Sequence, residues 1–291
     1  MSPFIISLVL ISAVMHAGWN LFARKDKDEI TFFSQMLTVI SVIGFIPAFL
    51  TEFITHSLTL KAYLCVIGSG FFCGIYFFAL ANAYSFSDFT IVYPIARSLP
   101  VLFVAIGDII RGRDLSLIGW SGILLVVAGC FLSPLTSFKD ISLKHYFNRT
   151  GFWLILTAIG TTAYTLLDKI ASEVVQKGSA TAARYGYFFY FITCITYHIL
   201  LHFSGIKKRK KGIEKWKLPS LSAFLDFGSY WLILWVYQFT DITSYVIALR
   251  QFSILIGVIL AFMIYKEKGV FVRIFGTLLL TAGLIIIGVF T

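Results

Sequence analysis

The sequence predicts an all-α integral membrane protein of ten transmembrane helices in a five-plus-five inverted-topology repeat, and three observations carry that expectation. Hydrophobic residues make up 58% of the 291 residues and charged residues 13%, against roughly 25% charged in soluble domains. Apolar runs of about 20 residues, long enough for a hydrocarbon core of roughly 30 Å, follow one another at short intervals. The third observation is internal. YSFSDFTIVYPIARSLPVL and YQFTDITSYVIALRQFSIL place Tyr84, Phe86, Asp88, Thr90 and Arg97 against Tyr237, Phe239, Asp241, Thr243 and Arg250, at a constant offset of 153 residues.

The ten spans are read in order at 3–22, 31–50, 61–83, 89–110, 116–134, 151–171, 181–203, 218–239, 242–264 and 270–290. Long runs with internal Gly and Pro favour helices over a barrel, whose strands alternate in shorter segments. The first span has no basic residue before it and no small-residue cleavage site, so it reads as a retained helix. The fourth span begins after Asp88 and carries Pro94, Arg97 and Pro100; Pro94 is expected to interrupt its backbone ladder. Asp88 and Asp241 open the two Arg-bearing spans, where carboxylates would cap free N–H groups. Gly122 and Gly129 in the fifth span match Gly276 and Gly283 in the tenth. Their seven-residue spacing puts each pair on one helix face, open to close approach by a neighbour.

An odd number of spans per half inserts the second half upside down relative to the first, with halves 1–137 and 138–291. Arg97 and Arg250 each lie about eight residues into their spans, roughly 12 Å at 1.5 Å per residue. Entering from opposite faces, both guanidinium groups reach toward the midplane. An isolated Arg at that depth costs about 3 kcal/mol or more, which marks the pair as functional candidates. Symmetric charges in an inverted repeat are the pattern of a central site in a secondary transporter.

Polar stripes support the same centre. Ser12, His16, Trp19 and Asn20 share one side of the first helix, and Thr157, Thr161, Tyr164, Thr165 and Asp168 occupy the equivalent stripe of the sixth. Such stripes avoid lipid and face protein or a wet cavity. Asp226 lies deep in the eighth span beside Ser222, Ser229 and Tyr230. It is read either as an ion-pair partner for an arginine or as a proton-coupling acid. Asp168 is nearer a helix end, where pairing with Lys169 or snorkelling would satisfy it. Asp108, Arg111 and Arg113 read as an interfacial cluster. Trp231, Trp235 and Tyr237 offer aromatic walls or cation–π partners. The substrate-binding candidates are therefore Arg97, Arg250, His16, Trp19, Asn20, Tyr164, Tyr230 and Trp235, with Asp226 the proton-coupling candidate.

Other classes are disfavoured by what the chain lacks. Cys65, Cys73, Cys130 and Cys194 have no CxxC or His-rich spacing, so no metal is expected. No cofactor is expected, and no HExxH, GxSxG or Walker-type loop suggests an enzyme. The run Lys207 to Lys211 with Lys215 and Lys217 reads as a topology anchor beside anionic lipid rather than a nucleic-acid surface. Setting aside Arg97 and Arg250, sixteen Lys and Arg lie on the side of that loop. Six (Lys61, Arg111, Arg113, Lys169, Lys177 and Arg184) lie opposite. The positive-inside rule then puts both termini outside. Internal duplication fits a monomer and does not require a homodimer.

The number of spans, the inverted repeat and the paired small-residue, aromatic and basic ends of spans one and six resemble the drug/metabolite transporter superfamily. HAGWNLFARKD, YPIARSLPVL and GWSGILLVVAGCFL resemble its EamA-type members in particular. The resemblance covers the whole chain. It implies a multi-pass carrier or exporter of amino acids, other metabolites or drugs in a bacterial inner membrane, and some relatives move lipid-linked sugars. It also implies both termini in the cytoplasm, opposite to the charge count. Two Arg less Asp226 leave a net positive centre. This favours a substrate with a carboxylate, phosphate or phosphonate, amino-acid-like or zwitterionic forms included. A flippase for an anionic lipid-linked carrier and an exporter of cationic drug-like amines are the alternatives.

Overall fold

The computed structural model describes residues 1–26, 28–86, 89–132, 135, 137, 149–206, 212–256 and 270–291. Every regular element among them is helical: α1 (Pro3–Asp26), α2 (Glu29–Thr55), α3 (Leu60–Phe86), α4 (Phe89–Ile110), α5 (Leu117–Leu132), α6 (Arg149–Ser172), α7 (Ser179–Ser204), α8 (Lys217–Tyr237), α9 (Thr243–Arg250) and α10 (Val270–Phe290), with a 3-10 turn at Ile213–Trp216. Six of these, α1, α2, α3, α6, α7 and α10, contain stretches long and apolar enough to cross a bilayer. Large apolar side chains such as Ile46, Phe53, Ile110, Leu117 and Phe271 remain exposed on the outer surface, where lipid rather than water would meet them.

The helices pack in pairs that exchange when α1–α5 and α6–α10 are swapped. α3 lies on α6 as α8 lies on α1, α3 on α7 as α8 on α2, and α4 on α6 as α9 on α1. The pairs α2·α7, α4·α9 and α5·α10 map onto themselves. The glycine spacing explains the tightest of these. A Cβ on Gly283 would lie 2.6 Å from the Gly122 carbonyl oxygen, and one on Gly129 would lie 2.4 Å from the Leu280 nitrogen. Backbone meets backbone across α5·α10, where packing rather than the hydrophobic effect holds helices together.

Two local expectations are corrected here. α4 continues as helix from Phe89 to Ile110 through Pro94 and Pro100, so no break separates the Arg97 position from the rest of the span. Asp241 does not cap α9. The N-cap is Ile242, without a side-chain cap bond, and the Asp241 side chain is 79% exposed, 3.9 Å from Arg113. The cap comes from the other half of the chain. Asp108 of α4, fully buried, accepts from the Ser244 backbone N–H at 2.7 Å, meeting the positive end of α9. Asp88 lies outside the described residues, as does the basic run 207–211.

Arg111 and Arg113 form the interfacial cluster without Asp108. Both reach Glu173, at 2.8 and 3.4 Å, and Lys169 reaches it at 3.3 Å. Partial burial alone would raise the Glu173 carboxyl, but hydrogen bonds and charge from Arg111 and Lys169 hold it below its ordinary value.

Candidate functional site

The two polar stripes do turn inward. Ser12, His16 and Trp19 on α1, and Thr157, Tyr164, Thr165 and Asp168 on α6, are buried. α8 turns Ser222, Asp226, Ser229, Tyr230 and Tyr237 the same way. Within each helix they recur at spacings of one, three, four or seven residues, which keep them on one broad face. Part of this polarity is structural. Ser12 Oγ donates to the Ser229 carbonyl at 2.7 Å, tying α1 to α8. Thr157 and Thr161 donate to carbonyls one turn back on α6.

Arg250 closes α9 with 7% of its surface exposed. Its Nη2 donates to His16 Nδ1 at 3.1 Å and to Ser229 Oγ at 3.3 Å. The guanidinium lies over the Tyr230 ring, 5.4 Å from the centroid, and Nε is buried without a hydrogen-bond partner. His16 Nδ1 also accepts from Trp19 Nε1 at 3.1 Å. Two donors on one ring nitrogen require a lone pair there, so the proton of neutral His16 sits on Nε2. Among the described residues no carboxylate lies within ion-pairing distance of Arg250. The buried guanidinium keeps a spare donor there, and charge-assisted hydrogen bonds to an anion are among the strongest such a group can make.

Space is present but small. A cavity of about 40 Å³ is lined by His16, Tyr76, Ala96, Pro100, Thr161, Tyr164, Ile247, Arg250 and Gln251. One water needs roughly 10–15 Å³ in such a measure. The space beside the arginine therefore holds a few waters at most.

Of the residues the sequence nominated, the structure brings Arg250, His16, Trp19, Tyr164 and Tyr230 together. Tyr164 packs edge-on against Tyr230 at 5.8 Å. The Arg97 side chain lies outside the described residues; its neighbours Ala96 and Pro100 line the cavity. Asn20 is half-buried and its amide donates to the His16 carbonyl at 2.8 Å, so it shapes the helix beside the site. Trp235 is not brought in. It packs against Phe4 and Phe239, at 5.4 and 6.5 Å, both exposed at the outer edge. Trp231 donates to the Ser179 carbonyl and serves α7. Asp226 is 3% exposed with Oδ2 unpartnered, and it forms no ion pair with Arg250.

Asp168 departs furthest from its expected role. It is 1% exposed and neither snorkels nor pairs with Lys169. It accepts hydrogen bonds from Ser69, from Tyr185 at 2.7 Å and from Tyr230. Lys169 is buried too and donates to the Tyr237 carbonyl at 2.9 Å. Asp168 was visible in sequence as the last member of the α6 stripe. Its donors come from three other helices, which no local pattern joins.

Packing of apolar-faced helices around a buried basic and hydroxyl-rich centre is the architecture of a multi-pass membrane protein. Comparison with known proteins gives the family. Residues 3–134 match the EamA-like transporter family and residues 149–290 match Solute carrier family 35. The chain thus belongs to the drug/metabolite transporter superfamily as an EamA-type protein, whose families are membrane transporters of small solutes. No curated protein matches it in sequence. A protein crystal structure matches with a TM-score of 0.69 at 14% identity, covering 98% of this chain and 99% of that one, a likeness of fold.

Proposed function

We propose that the chain is a secondary transporter moving a small metabolite with a carboxylate, phosphate or phosphonate group, amino-acid-like substrates included. It works by alternating access around Arg97 and Arg250. The observation that carries the proposal is Arg250 itself: buried, unpaired with any described carboxylate, and facing a cavity. The exchange of helix pairs between α1–α5 and α6–α10 supports reading 1–137 and 138–291 as inverted repeats that rock against each other. In this reading the small cavity belongs to an occluded state, and substrate enters when the halves part on one side.

Asp168 joins Asp226 in the core, so two arginines and two aspartates sum to zero if all ionise. Anion preference therefore rests on local geometry: Asp168 is engaged by hydroxyls and Asp226 stands apart from the guanidinium. A carboxyl carrying a proton belongs to the same proposal, and Asp226 is the member nominated by sequence. We place the protein in a bacterial inner membrane with both termini outside, following the charge count.

One observation favours a second reading, a flippase for an anionic lipid-linked carrier. An apolar groove of about 460 Å³ opens sideways between α2, α7 and α8, lined by Ile43, Pro47, Ala183, Tyr187 and Phe224 among others. The basic residue in it is Arg184, which is paired with Glu52 at 3.2 Å and so is not poised for a headgroup. Thermal stabilisation of purified protein by carboxylates, phosphonates, amino acids and amines separates the readings, because a ligand of the folded state stabilises it by mass action. A shift with soluble anions, absent in folded Arg97→Gln and Arg250→Gln, supports the proposal. A shift with amines alone, retained in both variants, refutes it.

A further inference from the structure

The anion site leaves one buried carboxyl group without a task. Asp168 of α6 gathers a hydroxyl from each of three other helices: Ser69 of α3, Tyr185 of α7 and Tyr230 of α8. Among the described residues no cation pairs with it; the adjacent Lys169 is turned to Tyr237 and Glu173. A carboxyl group held only by neutral donors in a membrane interior is an expensive structural fastener. Four hydroxyl or amide side chains would join the same helices without an ionisable group.

The position of Tyr230 suggests why it is kept. Its hydroxyl donates to Asp168 Oδ2, while the face of its ring carries the Arg250 guanidinium at 5.4 Å. A single rigid side chain therefore touches both the acid and the anion-binding cation.

We propose that Asp168 is a proton-binding site coupled through Tyr230 to occupancy of the Arg250 site. Its role in transport rests on the anion-transport reading; the binding of the proton does not. The ligand is a proton delivered by water when the halves part. A new O–H bond forms at Oδ2, which now accepts from Tyr230. That hydrogen bond must reverse, with Tyr230 becoming the acceptor and turning its own hydrogen away. The O–H bond of the delivering hydronium breaks and its water leaves; no other covalent bond changes, and one positive charge is added to the core. Tyr230 then shifts beneath Arg250, and the guanidinium has a changed platform from which to hold an anion. By linkage, anion binding alters proton affinity by the same factor.

The surrounding groups set the electrostatics. Cys65 and Cys73 face Asp168 from α3, Tyr185 from α7, and Tyr230 and Tyr237 from α8. Asp226 on α8, Arg250 on α9 and Asp108 on α4 act, with Asp168, on the same Cys73 and Tyr237 groups. Of these only Tyr185 and Tyr230 donate a hydrogen bond to the carboxylate.

The test is infrared difference spectroscopy of the purified full chain as pH is stepped, following the C=O stretch of protonated carboxyl groups. The wild-type difference spectrum should contain a titrating component that Asp226→Asn keeps and Asp168→Asn loses. Tyr230→Phe keeps the carboxyl but removes one donor, and should displace the midpoint by roughly one to two pH units. Arg250→Gln should displace it too, while Trp235→Phe should leave it in place. If Asp168→Asn does not fold, the Tyr230→Phe and Arg250→Gln displacements decide. A folded Asp168→Asn spectrum identical to wild type, or a midpoint of that component indifferent to both variants, overturns the proposal. Because no substrate is added, failure of the anion panel would leave this result standing.

Discussion

Replacing Asp108 by Ala removes the group that holds α9 in place, and its effect can be worked from the structure. Asp108 Oδ2 accepts from the Ser244 N–H at 2.7 Å where neither residue is exposed. Loss of an N-cap costs about 0.5–2 kcal/mol, and loss of a carboxylate at a helix N-terminus costs about 0.3–1 kcal/mol more. Asp108 Oδ1 is itself buried without a partner, so removing the carboxylate relieves some desolvation. A net loss of about 1–2 kcal/mol follows. In a chain of this size that lowers the melting temperature by roughly 2–8 °C, measurable by scanning fluorimetry in detergent. Asp241→Ala is the control, since that side chain is exposed and makes no cap bond. A melting temperature lowered by Asp241→Ala and untouched by Asp108→Ala would refute the reasoning and restore the cap that chain order suggests.

Two other outcomes are expected. Gly283→Leu forces a side chain into the Gly122 carbonyl across α5·α10 and should destabilise by at least about 1–3 kcal/mol, whereas Gly212→Leu, open on all sides, should melt within about 2 °C of wild type. Glu173 has a depressed carboxyl from Arg111 and Lys169. Its stabilising contribution should therefore be present above its unfolded value near 4.5 and be lost as pH falls through the lower folded value. The melting temperatures of wild type and Glu173→Gln should differ at neutral pH and converge in acid; a constant gap would contradict this.

Most of the fold was legible because membrane insertion makes span length and apolarity nearly sufficient. The glycine spacing marked faces of α5 and α10 for close approach, while their meeting across α5·α10 at Gly122, Gly129 and Gly283 came from the structure. Arg250 and the α1 and α6 stripes were legible as inward-facing polar positions, and His16, Thr161, Tyr164 and Arg250 line one cavity. Long-range partners were the illegible part. Asp241 looked like the cap of α9 because it precedes that helix in the chain, yet the actual acceptor, Asp108, comes from the other half. Asp168 looked peripheral because position along a helix was taken as depth. Trp235 was nominated by residue type, but its face of α8 points outward, one turn away from the inward-facing Tyr230.

On the proposed mechanism, Arg250 binds the substrate anion in a site that opens alternately to the two sides. This is tested most directly by counterflow of the stabilising anion in proteoliposomes, comparing wild type, Arg250→Gln and Trp235→Phe. Loss of a charge-assisted hydrogen bond worth about 1.5–3 kcal/mol should weaken half-saturation about 10- to 150-fold in Arg250→Gln, with Trp235→Phe unchanged. Exchange at wild-type affinity by a folded Arg250→Gln protein would contradict the account.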